Sequence, residues 1–158
     1  MSQFEVTHDR FVIEKAYDCP VGDLFSAFAD ASKKEGWYAE SPTHEKLEYR
    51  MDFTRGGREV LRARMLPSTP IAGAVLQWSS EYAEIQPENR IVFYQTTELD
   101  GRCISSAVIT LEFSGNAEGS RLALTHQAAF FEGSDGPAMR KMGWEFLLSA
   151  MEAKLPAK

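Results

Sequence analysis

The sequence predicts an α+β fold: a curved antiparallel sheet of about six to seven strands wrapped around a long C-terminal helix, with two short helices after strand one. Three observations predict it. Apolar residues recur at every second position in successive segments between Phe11 and Ala129, which is the period of a half-buried strand. Turn signals join these segments as hairpins: Arg55-Gly56-Gly57-Arg58, Pro87-Glu88-Asn89, Asp100-Gly101 and residues 115–119. Hairpins pair antiparallel. Residues 134–155 then change period, with Lys141, Glu145, Ser149 and Glu152 forming one narrow polar stripe at helical spacing. Strands grouped apart from the last helix make an α+β layout.

Each element has its own warrant. Phe11, Ile13 and Tyr17 alternate with Val12, Glu14 and Ala16 as a first strand. Cys19-Pro20 stops it, because proline cannot donate to a ladder. Residues 21–29 follow as a short helix with Val21, Leu24, Phe25 and Phe28 on one face and Asp18 or Pro20 at its start. Residues 30–37 read as a second helical piece ended by Gly36, and 39–46, polar and containing Pro42, as loop. Leu47, Tyr49, Met51 and Phe53 alternate as a second strand. Paired glycines, which supply positive φ cheaply, turn the chain into a third at 59–65. After a loop at 67–73, strands are expected at 75–85, 91–99, 103–113 and 121–129. A sheet of this size twists strongly, leaving a concave face.

The long helix has the shape to fill that face. Ser134 and Asp135 stand where caps belong, and Pro137 suits a first turn. Met139, Met142, Trp144, Phe146, Leu147, Leu148, Ala150, Met151 and Leu155 cover most of the circumference outside the polar stripe. The expectation is a helix enclosed by the rest of the chain.

Composition narrows the function classes. A chain of 158 residues suits one domain, here 1–158, and 44% hydrophobic and 11% aromatic content suit a sizeable core. The net charge is −6 with no basic run, which argues against a nucleic-acid partner. No apolar stretch approaches the roughly 20 residues that span a bilayer, so no membrane insertion is expected. Residues 1–10 lack a hydrophobic signal core, and the expected location is the cytoplasm. Cys19 and Cys103 make no CxxC motif and are expected as free thiols in a reducing compartment. Monomer and homodimer both fit.

Several motifs in order resemble one family. Asp18-Cys19-Pro20 with Val21 and Leu24-Phe25, Trp37 after the second helix, Asp52 to Gly57 reading DFTRGG, and Gly143-Trp144 with Leu147 and Leu155 carry the likeness. The central hairpin from Glu84 to Phe93 and Gly119-Ser120-Arg121-Leu122 fit between them. Together they are similar to the heat-shock protein 90 ATPase activator-like family, within the superfamily of START-like, Bet v-like and polyketide-cyclase domains. Thr54 is a departure, since the family's arginine usually follows the aromatic position directly. The resemblance implies a helix-grip fold with a cavity between sheet and long helix. The fold alone does not imply one activity.

Chemistry-bearing motifs are sparse. His8, His44 and His126 have no second histidine at metal-ligand spacing, so no metal and no cofactor are expected. No serine sits in a GxSxG elbow, and Arg55 to Arg58 is no phosphate loop. Glu81 and Glu84 should point to opposite faces of a strand and so cannot pair. His126, in the last strand, is either a cavity acid–base group or a hydrogen-bonded histidine at an edge or surface. Tyr49, Tyr82, Tyr94, Gln95 and Arg62 are further polar candidates for the cavity.

Aromatic and methionine content is the fuller signal. Trp37, Tyr38, Trp78, Phe93, Tyr94, Trp144 and Phe146, with Met139 and Met142, come from several elements that the fold brings towards the helix. They either line a pocket for an apolar ligand or pack a core. The leading reading is a protein that binds a small hydrophobic molecule between sheet and helix. Two alternatives stand beside it: a co-chaperone-like stimulator of the heat-shock protein 90 ATPase, and a small cyclase- or hydratase-like enzyme using cavity Tyr or His.

Overall fold

The structure is a computed structural model that describes residues 4–156. Residues 1–3 and 157–158 of the expected domain lie outside the described residues. Strand β1 (Val6–Tyr17) leads into helix α1 (Val21–Ala29), helix α2 (Ala31–Lys34) and a π-helical turn (Glu35–Ala39). Strands β2 (His44–Met51), β3 (Arg58–Met65), β4 (Val75–Gln86), β5 (Arg90–Leu99), β6 (Arg102–Gly115) and β7 (Ser120–Phe131) follow, then helix α3 (Gly136–Glu152). The strands form one sheet in the order β1-β7-β6-β5-β4-β3-β2. All neighbours pair antiparallel. This is the α+β, helix-grip arrangement that the sequence predicts.

Local differences have physical reasons. β1 begins before Phe11 because Val6 to Arg10 pair with Phe131 to Gln127. Those residues are exposed on both faces and carry no apolar period. β2 begins at His44, inside the expected loop, and ends at Met51. Gly36 does not end the second helical piece. The chain widens there, with the Glu40 amide donating to the Glu35 carbonyl at 2.9 Å, five residues back. The wider turn buries Trp37, Tyr38 and Ala39 in succession, and Trp37 Nε1 donates to the Ala27 carbonyl at 2.9 Å.

Three register shifts, at Lys46/Glu48, Tyr82/Glu84 and Thr97/Glu98, interrupt the ladders. Bulges of this kind bend a strand and increase its twist. The second overturns the expectation that Glu81 and Glu84 face opposite ways. Glu81 pairs with Tyr94 and Glu84 with Val92, both on the outer face. Each meets its own arginine there, Arg58 at 3.7 Å and Arg90 at 2.7 Å.

The glycine hairpin divides its labour. Gly56 has φ +83°, the conformation a side chain resists. Gly57 instead lacks room: a Cβ there would collide with the Asp52 carbonyl oxygen. Its amide donates to the Thr54 carbonyl at 2.7 Å, and the Gly56 amide donates to the Tyr82 carbonyl at 2.7 Å, docking the turn on β4.

Helix α3 is not enclosed. It buries one line, Arg140, Trp144, Leu148 and Met151. Met139, Met142 and Phe146 are exposed at 62, 67 and 50%. One wall of a helix is all that a single concave sheet face covers. Pro137 opens the helix as expected. Asp135 takes the N-cap position but makes no side-chain cap, because its carboxylate is held by Arg140.

Candidate functional site

A pocket of about 590 Å³ opens between the concave sheet face and the first half of α3. Its floor is built by strand alternation. Leu61, Trp78, Thr97 and Ser105 stand in one cross-strand row over β3, β4, β5 and β6, and the first three line the pocket. Leu76 and Leu99 form the next paired row, and both line it too. The loop between β3 and β4 contributes Thr69, Pro70 and Ile71. Met139, Gly143, Phe146 and Leu147 of α3 close the other side. The third register shift leaves Ile104 and Ser105 buried in succession.

One end of the pocket is polar. Arg140, 8% exposed, grips Asp135 through Nε and Nη2 at 2.8 Å each, and its Nη2 also donates to Ser105 Oγ at 2.9 Å. Its guanidinium lies 5.2 Å from the centre of the Phe130 ring. Burial acts to raise the Asp135 carboxyl, but the hydrogen bonds and charge of Arg140 outweigh it and hold that group below the usual range. Arg140 Nη1 and Thr97 Oγ1 are buried and have no hydrogen-bond partner among the described residues. Gln95 donates to Tyr38 Oη at 3.3 Å and to Ser80 Oγ at 3.1 Å.

A second polar cluster lies beside the pocket, under the helical segment. Lys34 Nζ meets Glu59 Oε1 at 2.7 Å, Tyr82 donates to the same oxygen at 2.6 Å, and Tyr49 donates to Oε2 at 2.7 Å. Lys34 also lies 4.7 Å from the centre of the Tyr38 ring. Burial, then the charge of Glu59, pushes the Tyr38, Tyr49 and Tyr82 hydroxyls well above their ordinary range. All three stay protonated: Tyr49 and Tyr82 donate to Glu59, while Tyr38 accepts from Gln95.

The sequence-predicted residues therefore separate. Tyr38, Trp78, Met139, Trp144 and Phe146 line the pocket together, with Gln95. Tyr49 and Tyr82 serve Glu59, while Trp37 and Phe93 are core. Tyr94, half exposed, faces the opposite side of the sheet and lines a shallow hollow with His8, Arg10 and Gln127. Met142 and Arg62 are exposed. His126 is fully buried, stacked at 4.6 Å on Phe11, and neither ring nitrogen has a partner among the described residues. Burial, with the nearby Arg140 charge, pushes its pKa down to about 4.

Lys34, Glu59, Thr97 and Arg140 escaped the sequence reading. Two of them carried a signal: Glu59 shares a strand face with Leu61 and Ala63, and Arg140 heads, at helical spacing, the line Trp144, Leu148, Met151. Cys19 is buried, Cys103 is exposed, and both are free. Among the described residues no three His, Cys, Asp or Glu side chains gather as a metal site, and no helix is long and apolar enough to cross a membrane. The pocket can enclose an apolar body and donate hydrogen bonds at one end.

The profile of a known family, described as Activator of Hsp90 ATPase homolog 1-like protein, matches residues 18–155. The chain belongs to this family. Among solved structures, a protein from Rhizobium loti is 31% identical, with a TM-score of 0.83 over 96% of this chain and 99% of that one. A putative uncharacterized protein from Rhizobium leguminosarum is 25% identical, with a TM-score of 0.87 over 95% of each chain. An AHSA1-like protein from Aeromonas hydrophila shares the fold at 19% identity, with a TM-score of 0.68 over 92% of this chain and 90% of that one. A comparison with curated proteins found no match.

Proposed function

We propose that this chain, acting as a single domain in the cytoplasm, binds a small hydrophobic molecule between its sheet and α3. The observation that carries the reading is the pocket of about 590 Å³, walled by Leu61, Leu76, Trp78, Leu99 and Leu147 and left with its mouth open beside exposed Met139 and Phe146. Volumes of this order suit small-molecule ligands, and a mostly apolar wall with few polar groups is their usual setting. The test is native mass spectrometry of protein purified from its own host, followed by thermal-shift screening of lipids and aromatic compounds. The expected result is an extra mass lost on denaturation, or a saturable rise in melting temperature. The absence of both signals would overturn the reading.

A second reading is stimulation of the heat-shock protein 90 ATPase, supported by the family's description. The exposed side of α3, with Met139, Met142 and Phe146, offers an apolar contact surface for it. Unchanged chaperone ATPase turnover at saturating protein would sink this reading.

A further inference from the structure

We infer that the ligand of this pocket is amphipathic and ends in a carbonyl-type oxygen, as an acid or a ketone, which accepts hydrogen bonds from Arg140 Nη1 and Thr97 Oγ1. The inference rests on the pocket being a ligand site. It starts from two unpaired hydrogen-bonding groups. Arg140 is 8% exposed and Thr97 2%, yet Nη1 and Oγ1 have no partner among the described residues. A buried donor left unsatisfied is costly, more so when charged, so Nη1 calls for an acceptor, to which the Thr97 hydroxyl can also donate.

Their placement makes one acceptor enough. Thr97 stands directly opposite Ser105 across β5 and β6, and such pairs hold their Cβ atoms about 5 Å apart. Ser105 Oγ accepts from Arg140 Nη2 at 2.9 Å. The hydroxyl of Thr97 and the guanidinium of Arg140 therefore belong to one corner of the pocket, which both line. Asp135 holds the guanidinium by its Nε and Nη2 side, so Nη1 stays available. The remaining walls are mostly apolar, which leaves an apolar body for the rest of the molecule.

A donor-only head such as an ammonium is excluded because a guanidinium only donates. Asp135 already balances the charge of Arg140, so a neutral carbonyl satisfies the corner without burying a further charge.

The test is a matched series of decanoic acid, 2-undecanone and decane, titrated against the full chain by tryptophan fluorescence, since Trp78 and Trp144 line the pocket. The acid or the ketone is expected to bind at least about tenfold more tightly than decane, the effect of one good hydrogen bond. Thr97→Val and Arg140→Met should each erase that preference, read as the ratio of acid or ketone affinity to decane affinity within the same variant. Thr97→Val keeps the side-chain shape and removes an unpaired hydroxyl, so it folds even if Arg140→Met, which strands Asp135, does not. A tighter acid or a tighter ketone tells the two heads apart, and either supports the inference. Decane binding as tightly as both overturns it and leaves the pocket reading standing. A preference that survives in Thr97→Val also overturns it. Binding by none of the three overturns inference and pocket reading together.

Discussion

Lys34 Nζ sits 2.7 Å from Glu59 Oε1, with both side chains sealed from solvent. Two tyrosine hydroxyls complete the shell around that carboxylate. Breaking such a pair from one side leaves a buried charge uncompensated. Glu59→Gln and Lys34→Met should each lower unfolding free energy by roughly 3–5 kcal/mol in urea titrations. The combined Lys34→Met/Glu59→Leu variant should lose less than the sum of its parts. Additive losses would mean the two charges are independently solvated.

His126 predicts acid sensitivity. Its pKa falls from 6.5 to about 4 on folding, first through burial and then through the charge of Arg140. Asp135 opposes that charge only in part. Because the folded value lies below the unfolded one, the unfolded chain takes up the proton first. The penalty is absent above about pH 6.5 and grows as pH falls towards 4, reaching about 3 kcal/mol from this group. His126→Leu should flatten the pH dependence of stability over that window. An unchanged slope would place the acid sensitivity elsewhere.

The two hairpin glycines should respond differently. Gly56→Ala meets open space but must hold φ at +83°, a cost of about 1–2 kcal/mol. Gly57→Ala drives a methyl into the Asp52 carbonyl and should cost more, about 3 kcal/mol, through displaced backbone. Equal losses in thermal denaturation would contradict this division.

On α3, Trp144 is 4% exposed and Phe146 50%. Trp144→Ala should destabilise by about 3–5 kcal/mol and Phe146→Ala by under about 1 kcal/mol. A loss at Trp144 well below 1 kcal/mol would mean the ring is not held by the sheet. If Phe146 walls a ligand, its variant should weaken binding with little change in stability.

Much of the pocket could be read from residue order, because alternation and helical period are local. Tyr38, Trp78, Met139, Trp144 and Phe146 were visible as aromatic or soft apolar side chains on the right elements. Tyr94 was not separable from Phe93, because parity along β5 tells that neighbours oppose but not which of them faces the helix. The charged groups were hidden for a different reason. Lys34 and Glu59 are 25 residues apart in the chain, and composition favours solvent for each alone.

By itself, the order of residues determined most element types, the hairpin succession, an antiparallel sheet of about six to seven strands and the long C-terminal helix. Periods of 2 and 3.6 and the turn glycines act over a few residues, so they survive without knowledge of the fold. Only the tertiary structure decided which wall of α3 is buried, where bulges reverse the facing of Glu84 and Ile104, and that Arg140 and Thr97 share one corner. Those outcomes depend on the curvature of the sheet and on pairs distant in sequence. Burial of a polar group is set by what the rest of the chain places over it.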